Sequence, residues 1–190
     1  MPSKNTVKFY EKDGFYHVYN RGVNKRRIFL DDQDYRFFIG LLARYFGPVL
    51  LTDLQRRTYP NYSEEVDVLA YCLMPNHFHL LMQQRGDSGL TNPMRSVMNA
   101  YVAYFNKKYE RVGYLHQGIF KAVSLKDEAH LILITKYIHK NPQNYSTWPY
   151  STYNNYITRV WPTWLKPQYI LDDFLPGEYQ CYIEDKIFKP

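Results

Sequence analysis

Cysteine is scarce: Cys72 and Cys181 are the only two in 190 residues, and they form no CxxC motif. That excludes a disulfide framework and fits a reducing, cytoplasmic compartment. Long apolar runs are missing too, since none approaches the ~18–20 residues that a membrane span needs. The first 15 residues carry lysines but no apolar stretch, so neither a secretory leader nor a membrane partner is expected. There is no internal repeat, low-complexity tract or interdomain linker, and 190 residues suit one well-cored domain.

Positive charge and aromatic rings are what the chain has in excess. Lys+Arg number 24 against 18 Asp+Glu, a net charge of +6, and 20 tyrosines bring the aromatic content to 18%. Cations follow a phosphate backbone while rings stack on unpaired bases, so this composition favours single-stranded nucleic acid as partner. It does not separate that use from tyrosines that pack a core.

Residues 1–13 read as a polar lead-in. The run Phe15 to Asn20 is rich in strand formers and ends at a turn, Arg21-Gly22. Asp31 or Asp32 can cap a helix with the apolar face Tyr35, Phe38, Ile39, Leu42, Tyr45 and Phe46. Residues 55–65 are polar loop. Two apolar segments, Val66 to Met74 and His77 to Gln83, flank Pro75-Asn76 and predict an antiparallel hairpin. Thr91 precedes a helix with Met94, Val97, Met98, Tyr101 and Phe105 on one side, and Ile119 to Ser124 is a candidate short strand. Ser124 with Asp127 resembles a capping arrangement opening a helix to about Lys140, which Pro142 stops.

The order β-α-β-β-α-β-α predicts an α+β fold: a ferredoxin-like split βαβ antiparallel sheet with helices on one face, plus an added C-terminal helix and tail. The expected folded body spans 14–142, with 143–190, which holds all three tryptophans, packed on it as an extension.

The segment richest in chemistry is Met74-Pro75-Asn76-His77-Phe78-His79-Leu80-Leu81-Met82. Residues two apart on a strand face the same side, so His77 and His79 project together and Phe78 opposite. Two such imidazoles can give nitrogens to one metal ion, with a third ligand from elsewhere. Tyr137 and Asn141, four apart, lean the same way on the last major helix. If that helix crosses the hairpin, a phenol and an amide oxygen meet the imidazoles. From the residues alone Tyr101, Tyr104 and Tyr109 are equal candidates to Tyr137.

Taken together, these segments resemble one family. The hairpin Cys72 to Leu81 looks like the metal-site motif of the HUH single-tyrosine transposases, and the likeness extends to their REP-associated branch. Phe15 to Asn24 resembles the family's first strand, Ala103 to Tyr109 the end of its second helix, Tyr137-Ile138-His139-Lys140-Asn141-Pro142 its nucleophile helix, and Trp148 to Tyr153 the segment after it. The likeness runs from about residue 14 to 157.

The resemblance implies that His77, His79 and Asn141 ligate a divalent metal, Mg²⁺ or Mn²⁺, and that Tyr137 is the nucleophile. The implied reaction nicks and rejoins single-stranded DNA at a structured hairpin through a 5′-phosphotyrosine. Members act as monomers or as homodimers that exchange the tyrosine helix. One departure stands out: where relatives carry Gly-Arg-Phe or Gly-Arg-Tyr, this chain has Gly118-Ile119-Phe120, leaving Lys121 as a substitute cation. Arg21, Lys25, Arg26 and Arg27 form a basic cluster that is either a solvated turn or a phosphate contact. Lys140, three residues after Tyr137, is a candidate base or DNA contact, with His139 and Lys136 expected to point elsewhere; His17 is another candidate base. A non-catalytic nucleic-acid-binding module of the same fold and a water-using metal nuclease are the competing readings.

Overall fold

The structure is a computed structural model describing residues 9–187, so most of the expected lead-in lies outside the described residues. Strand β1 (Phe15–Arg21) leads through a short 3₁₀ turn (Val23–Lys25) to α1 (Asp32–Phe46). The hairpin β2 (Val66–Met74) and β3 (His77–Gln84), α2 (Thr91–Lys108), β4 (Lys121–Leu125) and α3 (Glu128–His139) follow. Three short helices close the chain: α4 (Tyr153–Thr158), α5 (Gln168–Leu171) and α6 (Glu178–Ile183).

The four strands lie in the order β2-β3-β1-β4, and every pair is antiparallel. This is the ferredoxin-like sheet that the element order predicts. Alternation builds it: Tyr16, Val18, Phe78, Leu80 and Met82 join α1 and α2 in one core on the first face. Leu81, Leu69, Ala70 and Cys72 join α3 and the C-terminal segment in a second core on the other. Helices thus cover both faces, because the added helix α3 takes the face that α1 and α2 leave free.

Two local expectations are corrected. Ser124 does not cap α3; it stays in β4, paired with Tyr16, and Asp127 is the cap, its carboxylate accepting from His130 N–H at 2.7 Å. Helix α3 ends at His139, so Asn141 sits just past it, its N–H reaching Ile138 O at 3.4 Å. A register shift at Leu69 also turns β2 over. Val66 and Val68 face the first core, yet beyond the shift Tyr71 and Leu73 do so.

β2 is one of the two outer strands, and the tail covers its edge. Leu73 N–H binds Tyr150 O at 2.9 Å, Thr152 N–H binds Tyr71 O at 3.0 Å, and Lys166 N–H binds Val68 O at 2.8 Å. Buried His139 of α3 contacts Thr152 Oγ1 through Nε2 (2.8 Å) and the Tyr179 hydroxyl through Nδ1 (2.6 Å). Strand, helix and tail are therefore fastened together in one chain.

Candidate active site

Toward the β2–β3 turn, the second face of the sheet becomes polar. Register sets Arg21 opposite His77, Tyr19 opposite both His79 and Lys121, and His17 opposite Leu81. The turn itself is pinned from below: Pro75 O accepts from Ile28 N–H (2.7 Å) and Phe29 N–H (3.1 Å), and Asn76 O from Gly22 N–H (2.9 Å). Rigid backbone on both sides thus aims His77 and His79 at the space that α3 overhangs.

Tyr137 overhangs it. Its ring meets His79 edge-on at a centroid distance of 5.3 Å and His17 at 5.9 Å, while the residue stays 49% exposed. Tyr101, by contrast, is buried with its hydroxyl on Ile28 O, and Tyr104 and Tyr109 are bound to Asp34. Those tyrosines are structural, which separates them from Tyr137. The phenol reaches the histidines within one chain.

The imidazoles are held neutral. Burial pushes the His17 pKa down to about 4, with His130 adding repulsion. Burial lowers His79 well below the ordinary range, helped by charge repulsion from His17 and His77. Burial also lowers His77, opposed by its contact with Asn141. Neutral rings offer lone pairs, as metal ligation requires.

Two features of the donor set fit a divalent cation. His79 Nε2 is buried and has no hydrogen-bond partner among the described residues. His77 Nδ1 lies 2.6 Å from Asn76 Oδ1 and Nε2 lies 3.0 Å from Asn141 Oδ1. A neutral ring has one N–H, so unless an amide turns, one of these contacts sets two lone pairs against each other. A cation shared by Nε2 and Oδ1 removes the conflict, and neighbouring ligands on an octahedral ion with bonds of about 2.1 Å lie about 3 Å apart. Among the described residues no three His, Cys, Asp or Glu side chains converge on a metal position; the Asn141 amide oxygen is the further donor that lies beside His77.

A cavity of about 500 Å³ opens beside His77, lined by Tyr19, Arg21, Lys25, Gln117 and Lys121 among others. Arg21 Nε donates to Gln117 Oε1 at 2.7 Å, and the Lys121 ammonium lies 5.9 Å from the centre of the Tyr19 ring. Of the predicted basic cluster, then, Arg21 and Lys25 border the site. Arg26 and Arg27 are exposed and lie outside this lining. Lys140 is drawn away: it donates to Asp185 Oδ2 at 2.7 Å, and Lys136 contacts Oδ1 of the same carboxylate. Lys136, expected to point elsewhere, binds Asp185, and the correction falls on Lys140, which joins it there one turn later. His139 does point elsewhere, into the second core. The partners Asn76, Gln117 and Asp185 were not anticipated from sequence; Asn76 adjoins the histidine motif, but nothing local marks Asp185.

Comparison with known proteins finds likeness in sequence and in fold. Residues 58–141 match the family described as Transposase IS200 like. A solved REP-associated tyrosine transposase bound to a REP hairpin superposes with a TM-score of 0.60 at 17% identity, covering 86% of this chain and 92% of that one. A Deinococcus radiodurans R1 crystal structure, provisionally assigned as a transposase, gives 0.43 at 13% identity over 70% and 94%, too low to bear on the fold. No curated protein sequence matches the chain.

Proposed function

Residues 58–141 match the IS200-like transposase family, and from that match we propose that the chain is a metal-dependent single-stranded DNA transesterase with Tyr137 as nucleophile. One observation carries the reading: a half-exposed phenol lies edge-on to His79, beside the His77–Asn141 pair, at the rim of a basic cavity. In the proposed reaction the Tyr137 oxygen attacks phosphorus and the P–O3′ bond breaks. The phenol gives up its proton, the departing 3′ oxygen gains one, and the 5′-phosphate remains on tyrosine. The phosphodiester's energy is kept in that link, so a second 3′-hydroxyl can reverse the step without ATP.

His77, His79 and Asn141 would hold Mg²⁺ or Mn²⁺. When bound, such an ion would supply positive charge that counters the negative charge of the transition state. All three ligands are uncharged, so they leave the ion its full double charge. Arg21, Lys25 and Lys121 line the strand's path, with Lys121 standing in for the cation absent at Ile119. Lys140 would reach DNA only after leaving Asp185. The solved structural neighbour is bound to a REP hairpin; by likeness of fold, a hairpin-bearing strand is the substrate form proposed here. One chain brings phenol and imidazoles together, which favours action in cis by a monomer.

The test is a covalent one. A labelled hairpin oligonucleotide with Mn²⁺ should form an adduct with the wild-type protein that survives denaturing electrophoresis and is lost in Tyr137→Phe. An adduct formed by Tyr137→Phe refutes the nucleophile. Cleavage that survives Tyr137→Phe but not His77→Ala identifies a water-using nuclease. Binding without any adduct identifies the non-catalytic module, the reading that Ile119 favours.

A further inference from the structure

His17 takes no part in the chemistry proposed above, yet it is bound to one of its ligands. We infer that His17 is a positioning residue: it accepts a hydrogen bond from His79 Nδ1 and so keeps Nε2 of His79 free of a proton. The inference deepens the metal reading and rests on it.

The geometry is specific. His17 Nε2 lies 2.8 Å from His79 Nδ1, both residues are buried, and their ring centroids lie 5.0 Å apart with 25° between planes, an edge-to-edge approach. His17 stands opposite Leu81 in the register, so it meets His79 on the diagonal across one sheet face. Tyr19 lies 5.0 Å from His17 between ring centroids, and both imidazoles meet the Tyr137 ring in T-shaped contacts.

Only one ring can donate in this contact. Were His17 the donor, the proton of neutral His79 would sit on Nε2, a buried atom with no acceptor among the described residues. With His79 as donor, Nε2 presents a lone pair, the form that ligates a cation. In a metal-binding histidine the bond made by one nitrogen fixes the state of the other. The more familiar acceptors there are carboxylates or carbonyls; here a second imidazole, two residues before Tyr19 on β1, does the work. It adds no negative charge, so the ligand set stays neutral.

The test uses the metal-free full chain labelled with ¹⁵N-histidine. Long-range ¹H–¹⁵N correlation at neutral pH should find wild-type His79 protonated on Nδ1. His17→Phe keeps an aromatic ring but removes the acceptor; it should move the His79 proton to Nε2 and weaken Mn²⁺ binding, read by calorimetry, by about 10–100-fold. His17→Gln restores an acceptor oxygen and should recover the Nδ1–H form and most of the affinity. A wild-type His79 carrying its proton on Nε2 overturns the inference, as does a folded His17→Phe protein with unchanged tautomer and Mn²⁺ affinity. The metal reading fails separately, if Mn²⁺ does not bind the wild type or binds equally well after His77→Ala; the tautomer then decides the role of His17 by itself.

Discussion

Tyr137, in the last full turn of α3, rests its ring edge-on against His79 of β3, 58 residues earlier in the same chain, at a centroid distance of 5.3 Å. The contact uses the ring and leaves the residue half exposed. Removing only the hydroxyl should therefore leave the packing in place. For Tyr137→Phe the expected outcome is DNA affinity within about threefold of wild type and a single-turnover cleavage rate lower by about 10³-fold or more, measured with labelled oligonucleotide.

Asn141 is the member of the proposed ligand set that can be charged with least change of shape. Asn141→Asp should bind Mn²⁺ several-fold more tightly, since a carboxylate replaces an amide oxygen. Its cleavage rate should fall, because the added negative charge faces the phosphate and offsets the ion. Calorimetry and the adduct assay measure the two effects separately, and a chelator should abolish the adduct in both proteins.

His116 packs against the rings of Phe78 and Tyr101, and burial pushes its pKa down to about 4. In the unfolded chain an imidazole takes up its proton near pH 6.5. Between these values the unfolded chain binds more protons, so stability is fully present above about pH 6.5 and is lost as pH falls towards 4, by on the order of 3 kcal/mol. His139, pushed down to about 3 by burial, acts in the same direction and over a wider window. Urea unfolding at pH 7.5 and 4.5 should show the decline, and His116→Phe should flatten its upper part.

Thr152 joins three elements through one hydroxyl. It accepts from Tyr71 N–H of β2 at 3.0 Å and meets His139 Nε2 of α3 at 2.8 Å. Thr152→Val keeps the shape and strands buried polar groups, so it should cost about 1–3 kcal/mol in denaturant unfolding. The Lys136 and Lys140 pairs with Asp185 are a contrast. The Asp185 side chain is 65% exposed, so its ion pairs are screened by solvent and Asp185→Asn should cost far less than Thr152→Val.

Arg21 and Lys121 border the cavity beside His77, whereas Arg26 and Arg27 do not. Arg21→Ala and Lys121→Ala should each weaken single-strand binding and reduce the slope of log affinity against log salt by about 0.7. Arg26→Ala and Arg27→Ala should change that slope less. Fluorescence anisotropy across a salt series checks all four.

The elements that could be read from sequence are those with local causes. The strand period put His77 and His79 on one side and Phe78 on the other, and the structure keeps that division. The Pro75-Asn76 turn and the aspartate cap at Asp31 depend on neighbours within four residues, so they too were legible. The start of α3 was misread because Ser124 and Asp127 both have side chains that cap. Pairing with Tyr16 of β1, over 100 residues away, decides between them by holding Ser124 in the sheet.

By itself, the sequence determined the order of the elements, the paired histidines and the excess of positive charge, since periodicity and composition are properties of short stretches. Only the tertiary structure decided which of many tyrosines reaches the histidines, that Lys140 binds Asp185, and that His17 meets His79 Nδ1. Each of these depends on sheet register and on where α3 and the tail come to lie. Those positions follow from burying two apolar faces at once, a condition that no local stretch of residues encodes.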